Sequence, residues 1–214
     1  GGTGTGNVQG NVAVLDGGST GNVFGAASTG GDAASNHVIV RGGTAGSIYG
    51  AQTTSGNVSG NDVTITGGTV TGNVYAGGSV NGNVTNNTIS LGDASVRNLS
   101  TAALGSANLY GASATTGTAS GNTLAVNAVA AAVSSVNAFN GYNFNIGDYV
   151  RSGDTMLSVA NAGAFDTAGS GVDWAAINVS NALDLGRLSD VQGVERVTLL
   201  QGGTPQLKLN GYAS

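Results

Sequence analysis

The chain has 214 residues, a formal net charge of -5, charged residues at only 8%, 39 glycines, one proline and no cysteine. Disulfides and thiolate metal sites are thereby excluded, and the scattered basic residues form no patch that could neutralise phosphates, which excludes nucleic acid as a partner. Aromatic content of 5% makes a bulky aromatic core unavailable and leaves Val, Ile, Leu and Ala to fill the interior.

Residues 1–10 supply a single short strand around Val8. It reads as the third strand of a turn whose first two are missing, which predicts an upstream coil covering the first complete one. From Asn11 a repeat sets in, cleanest as NDVTITGGTVTGNVYAGG over residues 61–78. Variants begin at Asn11, Asn36 and Asn87, and a degraded copy begins at Asn122, giving intervals of 25, 25, 26 and 35 residues. An aromatic marker, Phe24, Tyr49, Tyr75 or Tyr110, precedes the next Asn by 12 residues each time. The variable length therefore falls between the Asn and the aromatic.

Two and four positions after each Asn stand Ala13, Val38, Val63, Ile89 and Leu124, then Leu15, Val40, Ile65, Leu91 and Val126. The positions one and five after it carry His37, Asp62, Thr88, Arg41 and similar residues. This period of two identifies strands with one buried and one open face. Each repeat then offers a strand, a Gly-Gly corner, a second strand at the aromatic marker, another corner, and a third strand at Val8, Val58 or Val84. Three short strands closing one turn of about 25 residues make an all-β parallel β-helix, with equivalent strands about 4.8 Å apart. A flexible Gly/Ser/Thr linker would not keep aliphatics in register over four copies.

Turn four carries about ten extra residues, roughly SVRNLSTAAL, between Asn87 and Tyr110. They are expected to leave the coil at a corner as a loop or short extra element, where insertions cost little. Residues 1–128 are accordingly the repeat coils, and 129–214 a continuation or a modified C-terminal cap. VAAAVSSV in that second part suggests a short helix or irregular turn. Strands are expected at Asn143–Ile146, Met156–Val159, Ile177–Val179, Val197–Leu200 and Gln206–Leu209, with Trp174 as buried packing. A cap is required because an open parallel edge invites pairing with other chains.

Identical asparagines recur at three corners: Asn7, Asn57 and Asn83; Asn22, Asn73 and Asn108; and Asn11, Asn36, Asn61, Asn87 and Asn122. Stacked turns would let them hydrogen-bond one another and cap corner carbonyls, a structural ladder rather than a site. In the pairs Val23-Phe24, Ile48-Tyr49, Val74-Tyr75 and Leu109-Tyr110 the aliphatic is expected inside. Phe24, Tyr49, Tyr75 and Tyr110 would then stack outside, as ordinary cross-turn pairing or as a strip for glycan binding or self-association.

Chemistry is sparse. The sole histidine, His37, falls beside Asp62 by register, a surface pair without a GxSxG or other nucleophile signature. Asp16, Asp62 and Asp93 fall at different offsets from their Asn and form no column, so the paired carboxylates of a glycosidase are missing. Arg41 and Arg97 stand alone. Gly30-Gly31-Asp32 is only a fragment of the calcium-binding GGxGxD repeat, and no dinucleotide fingerprint joins a strand to a helix. No catalytic, cofactor or metal residues are assigned. The N-x-[S/T] triplets at Asn57, Asn83, Asn86, Asn98 and Asn178 are explained by composition.

The array GGTVTGNVYAGG, the stretch NFNIGDYVRSGDTMLSV and the later ERVTLLQGG together resemble passenger domains of Gram-negative autotransporters. That resemblance implies a right-handed parallel β-helix, exposed on the bacterial cell surface or secreted. It implies a stalk or adhesin segment mediating attachment or self-association, with a host protein, a glycan or another copy as partner. It also implies membrane anchoring only through a β-barrel domain that the chain does not include. Two other classes share the coil: a carbohydrate-binding or carbohydrate-processing β-helix, and a trimeric fibrous phage-type tail protein.

Overall fold

The computed structural model describes residues 1–151, 153–161, 165–166, 177–180, 194–202 and 207–212, with side chains described to 161 (Ser152 excepted) and at 197–202. The chain winds as a right-handed parallel β-helix, and no described residue is helical. One side of the tube stacks Val12–Leu15, His37–Val40, Asp62–Ile65, Thr88–Leu91, Thr123–Val126, Gly141–Asn145 and Ile177–Ser180. A second side carries Gly2–Gly4, Ser19–Ser28, Thr44–Thr53, Asn73–Tyr75, Asn108–Tyr110, Ser135–Asn137 and Phe165–Asp166, so residues 1–10 supply a second-side strand as well as the expected one at Val8. A third carries Val8–Gln9, Ala33–Ala34, Val58–Ser59, Val84–Thr85 and Ala119–Ser120.

The register is the one the Asn marker dictates. Val38 lies over Ala13, Val63 over Val38, Ile89 over Val63 and Leu124 over Ile89. Val38, Val63, Ile89 and Leu124 are all 0% exposed, as are Val40, Ile65, Leu91 and Val126. Each such side chain, fully withdrawn from water, contributes about 1.5–3 kcal/mol against the entropy of ordering the coil.

Two corners require a left-handed backbone. The residue before each of the five Asn that mark the repeat has positive φ: Gly10 at 68°, Ser35 at 54°, Gly60 at 62°, Asn86 at 56° and Gly121 at 65°. Three of the five are glycine, which adopts this conformation without a Cβ penalty. Ser35 and Asn86 carry that penalty. The second glycine of the Gly-Gly corner behaves likewise, at 74° for Gly18, 76° for Gly43 and 80° for Gly68.

Three expectations are corrected. The inserted residues of turn four do not leave the coil. Ala103 donates its N–H to Gly68 O and accepts from Val70 N–H, while Leu99 and Val129 pair through the backbone. Leu99 and Leu104 are buried at 2% and 1% exposure, so the segment's own leucines draw it into the wall. VAAAVSSV is neither helix nor turn but two strands, Ala131–Val133 and Ser135–Asn137. Bulky aromatics do enter the core: Phe139, Tyr142 and Phe144 are at most 2% exposed. Overall composition hid this because they cluster within six residues of one another.

The coil also changes shape there. From Asn137 to Gly141 only three residues intervene, so the third side is skipped and ends at Ala119–Ser120. A new side opens between the first and second, built from Ala131–Val133, Thr155–Val159, Val194–Gln201 and Leu207–Tyr212, the last pair antiparallel. The expected strands near 143–146, 156–159, 177–179, 197–200 and 206–209 correspond to observed ones with shifted ends. Trp174 lies outside the described residues.

Candidate functional site

The asparagine ladder is structural, as the repeat predicts. Each rung's backbone N–H and Nδ2 donate to Oδ1 of the next: Asn11 to Asn36 at 3.0 and 2.9 Å, Asn36 to Asn61 at 2.9 and 2.9 Å, and Asn61 to Asn87 at 3.0 and 2.8 Å. Asn87 continues to Asn122 at 3.0 and 3.0 Å, and Asn122 to Asn140 at 3.0 and 3.3 Å. The Nδ2 groups also reach corner carbonyls such as Val8 O and Ala33 O. Asn36, Asn61, Asn87 and Asn122 are 0–1% exposed, so full hydrogen bonding is what permits their burial. Asn140 is a rung that the Asn-marked repeat misses, because its interval drops to 18 residues. The other two columns admit substitutes. Asp32 replaces Asn between Asn7 and Asn57, accepting from Asn57 N–H at 2.7 Å. Ser47 stands between Asn22 and Asn73.

The second side carries the aromatic column. Register places Phe24, Tyr49, Tyr75 and Tyr110 on successive coils, with Asn137 and Asp166 at the two that follow. Ring centroids are 4.7, 4.9 and 4.9 Å apart and the planes tilt by 8°, 11° and 16°. The paired Ile48, Val74 and Leu109 are 0% exposed while all four rings are half-buried. Successive rings therefore cover each other's faces, so edges and hydroxyls are what the column turns to solvent. Asn73 Nδ2 donates to the Tyr75 hydroxyl at 3.0 Å, which leaves the phenol proton available to an outside acceptor.

Beside the column runs a second file of outward positions, Ala27, Gln52, Gly78 and Ser113. Glycine at the third of these leaves a groove of about 160 Å³, lined by Tyr49 and Tyr75 from the column, by Gln52 and Ser113 on the coils before and after Gly78, and by Thr115. Its lining includes no ionisable group beyond the two phenols. A wider hollow of about 470 Å³ near Ala132, Ser158 and Gln201 is lined chiefly by small side chains.

The charged candidates are each engaged locally. His37 Nδ1 lies 3.8 Å from Asp62 Oδ2, on the surface. Thr64 Oγ1 donates to the same carboxylate at 2.8 Å, and Ser90 Oγ at 3.4 Å. Among the described residues both hydroxyls are bonded to Asp62 and neither to His37. Arg41, expected to stand alone, pairs with Asp16 at 3.6 Å, both exposed. Both are the fifth residue after their Asn, so the register already placed them one above the other. Arg97, likewise expected alone, lies 4.8 Å over the Tyr149 ring and donates to Asn127 O. Burial pushes the Tyr149 phenol up, and the Arg97 charge only partly offsets this. Burial also acts to raise Asp93. The Ser95 hydroxyl and the amides of Val96 and Ser95, with Arg97, outweigh it and hold the carboxyl below its usual value.

Among the described residues no group of three or more His, Cys, Asp or Glu side chains is placed to hold a metal ion. Comparison of the chain with protein-family models, with curated proteins and with solved structures gave no match to any of them.

Proposed function

We propose that this chain is a structural stalk or adhesin segment of a bacterial surface-exposed autotransporter passenger, serving attachment or self-association without catalysis. The observation that carries the reading is the continuous parallel coil. Its ladder of buried asparagines and its outer ring stack extend one scaffold coil by coil, with side chains repeated along a face. Repetition of that kind suits projection and multivalent contact. Asp16, Asp62 and Asp93 are each tied to local partners rather than facing one another across a cleft, which supports a non-catalytic role. The partner is a host-surface protein, a glycan or another copy, and the location the outer cell surface or the medium.

The reading is tested by placing the chain between a secretion signal and a translocating β-barrel in a Gram-negative host. Expected are release of the chain by external protease and increased cell settling or attachment. A chain that stays inside, or reaches the surface and alters neither behaviour relative to the barrel alone, would overturn the adhesive half of the reading. A carbohydrate-binding β-helix is favoured as the second reading by the half-exposed tyrosines. A phage-type fibre would instead be a trimer by light scattering.

A further inference from the structure

We infer that the groove at Gly78 is a binding site for a single ring of a neutral saccharide, recognised through hydrogen bonds rather than by stacking on an aromatic face. The inference deepens the adhesive reading, on which its biological use rests. Three observations converge on it.

The first is the lining. Gln52, Ser113, Thr115, Tyr49 and Tyr75 contribute an amide, two aliphatic hydroxyls and two phenols around one hollow. Such groups both donate and accept, which matches the paired donor and acceptor character of sugar hydroxyls. With no Lys, Arg, Asp or Glu in the wall, an ionic ligand would be desolvated without a counter-charge. Val80, 43% exposed at the rim, supplies an apolar surface for the ring carbons.

The second is the state of the polar groups. The side chains of Gln52 and Tyr49 make no hydrogen bond to any described residue, and Tyr75 retains its proton for donation because its oxygen accepts from Asn73. Their residues line a hollow of about 160 Å³, a space suited to one sugar ring with its hydration shell removed.

The third is the spacing of the rings. Centroids 4.7–4.9 Å apart leave no room for a sugar between successive aromatics. A ligand on this side must meet tyrosine edges and hydroxyls, and the place where the neighbouring file recedes to let it do so is Gly78. That glycine is not there for its backbone. Its φ is not left-handed, and a Cβ would meet Ser113 O and Cβ at 3.7 and 3.8 Å, ordinary contacts. The notch can therefore be filled without strain at the first atom.

The test uses the whole chain with glucose, galactose, mannose and N-acetylglucosamine as probes and glucuronate as the charged comparison. Binding is read by saturation-transfer NMR and titration calorimetry. The expected result is weak binding of at least one neutral sugar, with glucuronate weaker. Gly78→Gln should reduce it at least about tenfold without lowering the melting temperature, and Tyr75→Phe and Gln52→Ala should each reduce it several-fold with the ring stack intact. If Gly78→Gln does not fold, Gln52→Ala and Tyr75→Phe decide alone. Absence of binding by every neutral probe, tighter binding of glucuronate, or binding untouched by these substitutions would each overturn the site. A chain that binds no sugar yet still promotes cell attachment would overturn the site and leave the adhesive reading standing.

Discussion

Asn61→Ala probes the ladder at a buried rung with buried neighbours on both sides. Its side chain takes part in five hydrogen bonds: Oδ1 accepts from Asn36 N–H and Nδ2, and Nδ2 donates to Asn87 Oδ1, Ala33 O and Ser59 O. Alanine leaves the Asn36 N–H without an acceptor at a position 0% exposed. An orphaned buried donor costs about 1–3 kcal/mol, and the four further lost bonds add about 1 kcal/mol each, so the total is about 5–7 kcal/mol. For a chain of this length that is roughly 10–28 °C of melting temperature. Because solenoids open coil by coil, amide exchange at Asn36 and Asn61 is the sharper assay, and both should exchange far faster in the variant. Asn57→Ala is the control, since Asn57 Oδ1 caps Asn83 N–H at 3.0 Å on the exposed column, where water can replace it. Asn61→Asp adds a sign. The new carboxylate would face the acceptors Asn87 Oδ1, Ala33 O and Ser59 O in a buried setting, which raises its folded pKa above the unfolded value of about 3.9. Its destabilisation is therefore greatest at neutral pH, is relieved as pH falls through the raised folded pKa, and is gone once pH is below the unfolded value. Equal losses for Asn61→Ala and Asn57→Ala would refute the argument that burial makes the ladder matter.

Ser35→Gly relieves a left-handed non-glycine corner and should stabilise the chain by about 1 kcal/mol in chemical denaturation, whereas Gly60→Ser should lose a similar amount. Gly50→Ala drives a Cβ to 2.3 Å from Ala76 O and should lower the melting temperature sharply, while Gly21→Ala, with open space around it, should leave it unchanged. The Asp93 turn is stabilised by ionisation, because the folded carboxyl has the lower pKa. That contribution is present above about pH 4 and disappears as pH falls through the folded value, so the protection of the Ser95 and Val96 amides relative to their intrinsic exchange at each pH should fall on acidification, and should stay constant there in Asp93→Asn.

Legibility in the sequence followed the strength of the constraint. Alternation at Val38, Val63 and Ile89 fixed strand faces because a slip of one residue would turn every aliphatic to water. Adjacent pairs such as Val74-Tyr75 fixed the ring column for the same reason. Asp16 and Arg41 share the same place in the repeat and were legible as a pair, but single charges invite reading in isolation. The departures came where the repeat itself stopped. Nothing local in SVRNLSTAAL announces that Ala103 will pair with Gly68 and Val70, since those partners sit more than thirty residues earlier in sequence. The skipped third side depends on three residues between Asn137 and Gly141, and counting from one Asn to the next shows a shortened interval without saying which side is lost. Gly78 was hidden among 39 glycines, distinguishable only by its neighbours across the coils.

The segment at 93–104 has a mechanical consequence. In the regular coils, hydrogen bonds between neighbours lie along the long axis, so an axial pull detaches one coil from the next with each rupture loading only its own interface. Ala103 is bonded back to Gly68 and Val70, and Leu99 forward to Val129, so the inserted stretch joins the coil before it to the coil after it, as a regular strand does. An axial pull therefore meets no break in the hydrogen-bonded stack at the insertion, and turn four is loaded like its neighbours.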